Sequence, residues 1–257
     1  MRLTVCEMPN ETADFAPAWG ALVEHVGDRK SDLVLLPEMP FYRWLSQTDD
    51  IDPVEWTKSV RAHDEWITRL DELAPATVIS TRPVVEDGKH RNVGFVWESG
   101  TGAVDVHSKR YLPDEPGFWE ASWYERGDGS FSIAETRHAK VGFLICTELW
   151  FTQHAREYGK HGAHIIVCPR ATPTSTAPKW VAGGQAAAVI SGTFSLSSNL
   201  SGTTQEGGDF AGVGWIVEPE EGKVLGTTST NQPFLTADVD LAEADRAKTT
   251  YPRYVLE

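Results

Sequence analysis

The 257-residue sequence has little cysteine, a deficit of basic residues and no long apolar run. Three cysteines, an odd number, do not suit a disulfide framework and favour reduced thiols. Lysine and arginine total 23 against 37 acidic residues, and the net charge of −14 argues against nonspecific binding to nucleic acid or an anionic membrane. No apolar run approaches the ~20 residues that cross a bilayer, and residues 1–7 lack the apolar core of a secretory signal. We therefore expect a cytoplasmic protein without nucleic-acid or membrane partners.

The sequence does contain an alternation of short apolar runs and amphipathic segments. Its composition, 40% hydrophobic and 23% charged, is that of a globular chain, and no linker or repeat divides it. The Asp87-Gly88 pair between two apolar runs is typical of a β-hairpin turn. These patterns predict one α/β domain over residues 1–257. The predicted strands are 3–6, 32–36, 77–80, 84–85, 93–97, 103–107, 140–146, 164–168, 194–197, 213–217 and 234–239.

Four helices are predicted between these strands. Apolar residues between positions 15 and 26 recur at three- and four-residue steps, as one buried helix face requires. Asp52 is the predicted N-cap of the second helix, with Pro53 at its first position and Glu55 completing a capping box. Two more helices are predicted over 150–161 and 179–190. The predicted inner face of the second helix carries Val60, Trp66, Ile67, Leu70 and Leu73.

Three polar residues follow predicted strands directly. Glu38 comes after the run at 33–36, Lys109 after 103–107, and Cys146 after 141–145. In open α/β sheets, ligands bind outside the carboxyl ends of the strands, so this pattern indicates one shared site. A thiolate is the reactive form of cysteine, and a nearby ammonium such as that of Lys109 stabilises it. Glu38 could then accept the thiol proton and later activate water.

Each of these residues also has an ordinary structural interpretation. A cysteine that ends a buried strand is often a small core residue, as Cys6 and Cys168 are expected to be. Lys109 alone could be a solvated charge or half of a salt bridge. A papain-like cysteine–histidine pair remains open, although no histidine lies in a motif that indicates it. His161 and His164 lack a nearby third ligand, so no metal and no cofactor are expected.

The sequence segments around the three residues point to a known family. Leu-Leu-Pro-Glu at 35–38, His-Ser-Lys-Arg-Tyr-Leu-Pro at 107–113 and Gly-Phe-Leu-Ile-Cys-Thr-Glu at 142–148 resemble the three signature segments of the carbon–nitrogen hydrolases, the nitrilase superfamily. The order Glu38, Lys109, Cys146 is that family's order. Segment 116–128 is similar to the family segment that bears a second active-site glutamate, here Glu120. Segments 162–169 and 212–225 are similar to its later strands, so the resemblance covers nearly the whole chain.

The resemblance implies a mechanism. Cys146 attacks an amide carbonyl, and Glu38 accepts the thiol proton and passes a proton to the departing ammonia or amine. Lys109 and the backbone N–H of Thr147 hold the oxyanion, and Glu120 positions Lys109 or the substrate amide. Water activated by Glu38 then cleaves the thioester. Hydrolysis of a small aliphatic amide is the leading reaction, with N-carbamoyl amine or amino acid hydrolysis and nitrile hydrolysis as alternatives on the same residues.

The same resemblance implies a four-layer αββα sandwich and a homodimer or higher homo-oligomer. Four residues near the strand ends are candidates for contact with the substrate: Tyr42, Trp119, Trp150 and Arg170. Arg170 either holds a substrate carboxylate or pairs with an acid, and the pairing is favoured. Two further classes stay open, a cysteine peptidase-like enzyme with a histidine base and a catalytically silent binding protein.

Overall fold

Residues 1–204 and 207–255 are described by the computed structural model of the chain, and they form thirteen strands and six α-helices. The strands are β1 (Arg2–Pro9), β2 (Leu33–Leu35), β3 (Thr77–Glu86), β4 (Lys89–Glu98), β5 (Gly102–Ser108), β6 (Ala134–Glu135), β7 (Lys140–Phe143), β8 (Ile165–Arg170), β9 (Phe194–Thr203), β10 (Asp209–Ala211), β11 (Trp215–Val217), β12 (Val224–Thr227) and β13 (Phe234–Asp238). The helices are α1 (Thr12–Arg29), α2 (Pro53–Ile67), α3 (Glu120–Trp123), α4 (Thr152–Lys160), α5 (Ala177–Ser191) and α6 (Ala242–Ala247).

Strand β1 connects two sheets. Its residues 2–6 pair with β13 and its residues 3–5 with β2, whereas its residues 7–9 pair with β9. The hydrogen-bonded path runs β5-β4-β3-β2-β1-β9-β8-β7-β6. Strands β1, β2 and β3 are parallel, and so are β7, β8 and β9. Because carboxyl ends of parallel strands share an edge, the segments after β2 and β7 come close to each other.

The two sheets pack face to face, with helices on both outer sides. A Cβ atom on Gly94 of β4 would lie 2.6 Å from the ring of Phe143 of β7, so these facing strands are in direct contact. Leu33 and Leu35 enter the core between the sheets, whereas Val34 packs in the cluster that contains α1. Helices α4 and α5 contact each other, and α5 covers β9 and β11. The predicted four-layer αββα sandwich is therefore confirmed.

Helix α2 begins as predicted but differs from the prediction in two respects. The Asp52 side chain accepts a hydrogen bond from the Val54 N–H at 2.7 Å. The predicted capping box is wrong, because the Glu55 carboxylate binds Tyr42, Arg43 and Lys58 instead. The predicted inner face is confirmed at Val60, Trp66 and Ile67, which pack against the core, but the helix ends at residue 67, so Leu70 and Leu73 enter the core from a separate 3₁₀ turn. The side chains that α2 buries are Trp56, Ser59 and His63.

The hairpin between β3 and β4 is confirmed. Glu86 and Lys89 are paired, and the two residues between them have positive φ angles, 51° for Asp87 and 73° for Gly88. This is the geometry of the two-residue turn that the Asp-Gly pair predicts. The prediction of a strand to residue 146 is too long, because β7 ends at Phe143 and a 3₁₀ turn begins at Cys146.

Elements β6, β10, β12 and α6 have no counterpart among the predicted strands and helices, and α3 lies within the turn-rich stretch 111–131. In the described ranges, every helix is either too short or too polar to span a lipid bilayer.

Candidate active site

Glu38 lies just past β2 with its side chain fully buried. Its backbone N–H donates to the carbonyl oxygen of Arg170 at 3.3 Å, which ties this loop to the end of β8. Its Oε1 atom accepts hydrogen bonds from Lys109 Nζ and from Asn92 Nδ2, both at 2.7 Å. Its Oε2 atom is buried and has no hydrogen-bond partner among the described residues. One oxygen is therefore held in place while the other is available to a reacting group.

Lys109 follows β5, and its ammonium lies between two buried carboxylates. Nζ is 2.7 Å from Glu38 Oε1, and 2.7 and 2.6 Å from the two oxygens of Glu120. Burial alone would lower the pKa of Lys109, but the charges of Glu120 and Glu38 outweigh it and raise that pKa well above its ordinary value. The ammonium is therefore kept charged in a site from which water is excluded.

Glu120 is the first residue of α3 and is fully buried. Burial raises the pKa of its carboxyl to about 8; the Lys109 ammonium lowers it, and the Glu38 carboxylate raises it. The upward direction follows from the composition of the cluster, in which two buried carboxylates share one ammonium.

Cys146 begins the turn after β7 in a left-handed conformation, with a φ of 48°. Sγ and one oxygen each from Glu38 and Glu120 all lie within 4.8 Å of one another. Burial raises the pKa of the Cys146 thiol well above its ordinary value, the Glu38 carboxylate raises it further, and the Lys109 ammonium lowers it. The resting sulfur is therefore a thiol that needs a base. The Lys109 ammonium contacts both carboxylates of this cluster.

A cavity of about 250 Å³ opens beside the sulfur. Cys146, Thr147 and Glu120 contribute to its lining, so the three approach the same space from two segments. Trp150, 39% exposed, lines it next to Trp180, with the ring centroids 4.7 Å apart. The other lining residues are Pro113, Glu115, Phe118, Ala171, Thr172, Pro173, Thr176 and Lys179.

The sequence model of one family, described as carbon-nitrogen hydrolase, matches residues 2–249. The chain belongs to the carbon–nitrogen hydrolase family. The match spans every strand and helix described above, and it agrees with the family resemblance of the three signature segments.

Individual family members are similar at a lower level. An N-carbamoylputrescine amidase of Arabidopsis thaliana is 25% identical over 154 residues, 58% of this chain and 51% of that protein. A citrullinase of Francisella tularensis is 25% identical over 175 residues, 63% of this chain and 57% of that protein. The chain thus spans about half the length of these curated relatives. A carbon–nitrogen hydrolase of Helicobacter pylori has the same fold, with a TM-score of 0.88, 21% identity and coverage of 99% and 94% of the two chains.

Three of the four predicted substrate-contact residues, Tyr42, Trp119 and Arg170, lie outside the lining of the cavity beside Cys146. The Tyr42 hydroxyl donates to Glu55 Oε2 at 2.8 Å, which directs it towards α2. Trp119 lines a second cavity of about 420 Å³, separated from the first by Phe118 and Pro173, which line both. Trp150 and Thr147 both line the cavity beside Cys146.

Arg170 satisfies neither interpretation of its role. Its guanidinium is fully buried and donates to Ser197 Oγ at 2.7 Å, to Thr172 Oγ1 at 2.5 Å and to the Val213 carbonyl at 2.5 Å. It also stacks over the ring of Trp215 at 4.3 Å. None of the described carboxylates lies within ion-pair distance, and burial lowers its pKa to about 10. The predicted acid pairing is wrong, and Arg170 instead holds Thr172, which lines the cavity.

Two further residues of the site went unnoticed in the sequence. Asn92 donates a hydrogen bond to Glu38. Glu148 accepts hydrogen bonds from the backbone N–H groups of Arg110 and Ile145. Each is a polar residue next to an apolar run. Burying such a side chain costs free energy unless it is hydrogen-bonded, so a polar residue in this position is expected to have a specific partner. That pattern is the signal by which both could have been found.

Proposed function

We propose that the protein is a thiol-dependent amidohydrolase that cleaves the non-peptide C–N bond of a small amide and releases ammonia or an amine. The observation that carries the proposal is the convergence of Cys146 Sγ with oxygens of Glu38 and Glu120 within 4.8 Å, around the Lys109 ammonium. The polar atoms collected beside the sulfur are carboxylates and an ammonium. This favours Glu38 over a histidine as the base.

In the acylation step, Glu38 Oε2 accepts the thiol proton as Sγ forms a bond to the carbonyl carbon. The negative charge that develops on the carbonyl oxygen is stabilised by Lys109 and by the backbone N–H of Thr147. Loss of one such donor typically costs 10²–10³-fold in kcat. The C–N bond then breaks, and the proton held by Glu38 leaves with the ammonia or amine.

In the deacylation step, Glu38 removes a proton from water as its oxygen attacks the thioester carbon. The C–S bond breaks, the acid is released, and the proton returns to the sulfur. Glu120 keeps Lys109 charged and in place through both steps, because its two oxygens bind Nζ at 2.7 and 2.6 Å.

The cavity supports a small or slim acyl group. Its volume of about 250 Å³ is bounded by the rings of Phe118, Trp150 and Trp180. Trp150 contacts the substrate directly. Arg170 acts on it indirectly, by holding Thr172 in the cavity wall. Hydrolysis of an N-carbamoyl group is the second candidate reaction, favoured by the similarity to an N-carbamoylputrescine amidase. Nitrile hydrolysis is the third.

The test is release of ammonia from a panel of amides, N-carbamoyl compounds and nitriles, compared between the parent and Cys146→Ser. We expect turnover by the parent, an acyl adduct on Cys146 in the intact mass, and neither in the variant. Cys6→Ser is the matched control, since Cys6 is a buried thiol in the other half of the core. A parent protein that turns over no member of the panel favours the silent binding protein.

The proposal includes one catalytic domain over residues 1–257, a homodimer or higher homo-oligomer, and a cytoplasmic location. The location is supported by three buried cysteines that are all free. Sedimentation equilibrium tests the oligomeric state: a monomer at micromolar concentration contradicts this part of the proposal.

A further inference from the structure

Glu148, two residues beyond Cys146, has a fully buried carboxylate that accepts three hydrogen bonds. Oε1 accepts from the Arg110 N–H at 2.7 Å, and Oε2 accepts from the Ile145 N–H at 2.9 Å. His107 Nε2 lies 2.8 Å from Oε2. These donors flank the reacting residues, because Arg110 follows Lys109 and Ile145 precedes Cys146.

The hydrogen positions on His107 follow from its two partners. Its Nδ1 atom lies 3.1 Å from the Ser130 carbonyl oxygen, which can only accept, so Nδ1 carries a hydrogen. Its Nε2 atom faces a carboxylate whose two oxygens already accept backbone N–H groups. Nε2 lies within hydrogen-bond distance of that carboxylate, so His107 and Glu148 form a fully buried contact between β5 and the turn after β7.

The topology shows why a side chain is needed here. Strand β5 is at one end of the hydrogen-bonded path and β7 is next to the other end, so no backbone ladder joins them. Lys109 and Cys146 therefore depend on side chains for their relative position across the two facing sheets. Cys146 also has a φ of 48°, a strained conformation for a non-glycine residue that persists only where its surroundings hold it.

We propose that Glu148 is a positioning residue that fixes the segment of Lys109 against the turn of Cys146, across the two sheets. One carboxylate bonds to both backbone segments, and His107 holds that carboxylate from β5. Glu148 is not among the residues that line the cavity, so it acts on the reaction through Lys109 and Cys146. This inference rests on the proposed function only in taking those two residues as catalytic.

The test is Glu148→Gln in the full chain, assayed for kcat and KM and for alkylation of Cys146 by iodoacetamide. The amide group nearly matches the carboxylate in shape, but its NH₂ turns a donor towards one of the backbone N–H groups. We expect kcat to fall about 10²-fold, as small misplacements of reacting groups do, while KM changes less than about twofold. Alkylation of Cys146 should slow as well, because the reacting thiolate is no longer held next to the Lys109 ammonium that stabilises it.

Glu218→Gln is the matched control. The Glu218 carboxylate also has three hydrogen bonds, all from backbone N–H groups, those of Glu220, Glu221 and Lys223, but it lies in the connection between β11 and β12. It should keep the parent values of kcat and alkylation rate. If Glu148→Gln does not fold, His107→Gln replaces it; we expect a smaller loss of kcat, on the order of tenfold, since one donor is removed and both backbone contacts remain.

Unchanged kcat and alkylation in the folded Glu148 variant would overturn the inference. So would losses that only follow the amount of folded protein, as judged by thermal unfolding. If the parent hydrolyses no compound in the panel, the proposed function fails, and the alkylation comparison still decides the role of Glu148.

Discussion

At the scale of single residues, the site is a small set of buried charges that depend on each other. The Lys109 ammonium keeps its charge because Glu120 and Glu38 face it, and Glu120 binds a proton more tightly because burial disfavours a second carboxylate. The thiol of Cys146 stays protonated at rest for the same reason. A proton can therefore pass from sulfur to Glu38 without any change in the total charge of the site.

Lys109→Ala tests this dependence. It leaves two buried carboxylates without their cation, which typically costs about 3–5 kcal/mol of unfolding free energy. In the proposed mechanism it also removes an oxyanion donor, so ammonia release should fall by at least about 10²–10³-fold. Urea unfolding and an ammonia assay measure the two effects.

Lys58→Ala is the control for that substitution. Lys58 forms a 2.8 Å ion pair with Glu55 on the surface of α2, and exposed pairs of this kind contribute little to stability. Equal losses in the two lysine variants, or normal turnover by Lys109→Ala, would contradict the assigned role.

Glu120 gives a prediction for stability against pH. The pKa of its carboxyl is about 4.3 in the unfolded chain and about 8 in the folded protein, where burial raises it. Between these values the folded state binds more protons than the unfolded state, so the free energy of unfolding falls as pH rises. Glu120→Gln should flatten this decline, as measured by urea unfolding at several pH values.

Glu55→Gln is the corresponding control. Hydrogen bonds from Lys58 and Arg43 lower the pKa of Glu55 to about 2, so its contribution is lost only as pH falls below the ordinary value. Its variant should keep the parent slope in the range where the Glu120 variant loses it. A parent protein whose stability does not decline over that range would argue against a proton on Glu120.

At the scale of elements, α5 joins the outer layer to the cavity beside Cys146. Lys179 and Trp180 line the cavity from its first turn, and Thr176 lines it from the N-cap position. Further along, Gly183 and Gly184 let two rings approach the helix backbone, because an added Cβ would lie 2.9 Å from Trp150 and 2.5 Å from Trp215. Packing of this helix on the sheet and the shape of the cavity are therefore coupled.

Gly184→Ala should destabilise the protein. The added methyl group meets Trp215, which is fully buried and stacked on Arg170 and so has no room to move. Inserting a methyl group into a packed core typically costs about 1–3 kcal/mol. Urea unfolding measures the change, and KM should rise because Trp180 lies on the same helix.

Gly20→Ala in α1 makes the same chemical change where no atom lies within 4 Å of the new Cβ. It should stabilise the protein by about 0.4–1 kcal/mol, through the lower conformational entropy of the unfolded chain. Destabilisation of both variants would contradict the assignment of the Gly184→Ala effect to close contact with Trp215.

At the scale of the whole molecule, local patterns predicted most of what positions the site. The positions of Glu38, Lys109 and Cys146 after strands follow from apolar runs, and the Asp87-Gly88 turn follows from its two residues. These features are local, since a run or a turn depends on neighbours in sequence. The family resemblance added Glu120, which lies in a stretch where no periodic pattern exists.

The features that escaped prediction depend on how elements dock. Glu55 could not be assigned to Arg43 and Tyr42 before the position of α2 was known. Arg170 looked like half of an ion pair, but the sheet surrounds it with hydroxyls, a carbonyl and a ring. Glu148 bonds to Arg110 only because two sheets that share no ladder at this point face each other.

The three cysteines test the fold and the site together. Cys6 and Cys168 are fully buried, and burial raises their pKa, that of Cys168 to about 12. Cys146 is buried too, but it lines the cavity beside the Lys109 ammonium. We therefore expect iodoacetamide to add one label to the native protein and three to the protein in denaturant, as counted by intact mass. Cys146→Ala should remove the native label, and labelling of Cys6 or Cys168 at a similar rate would show that the sheets do not close over these two thiols.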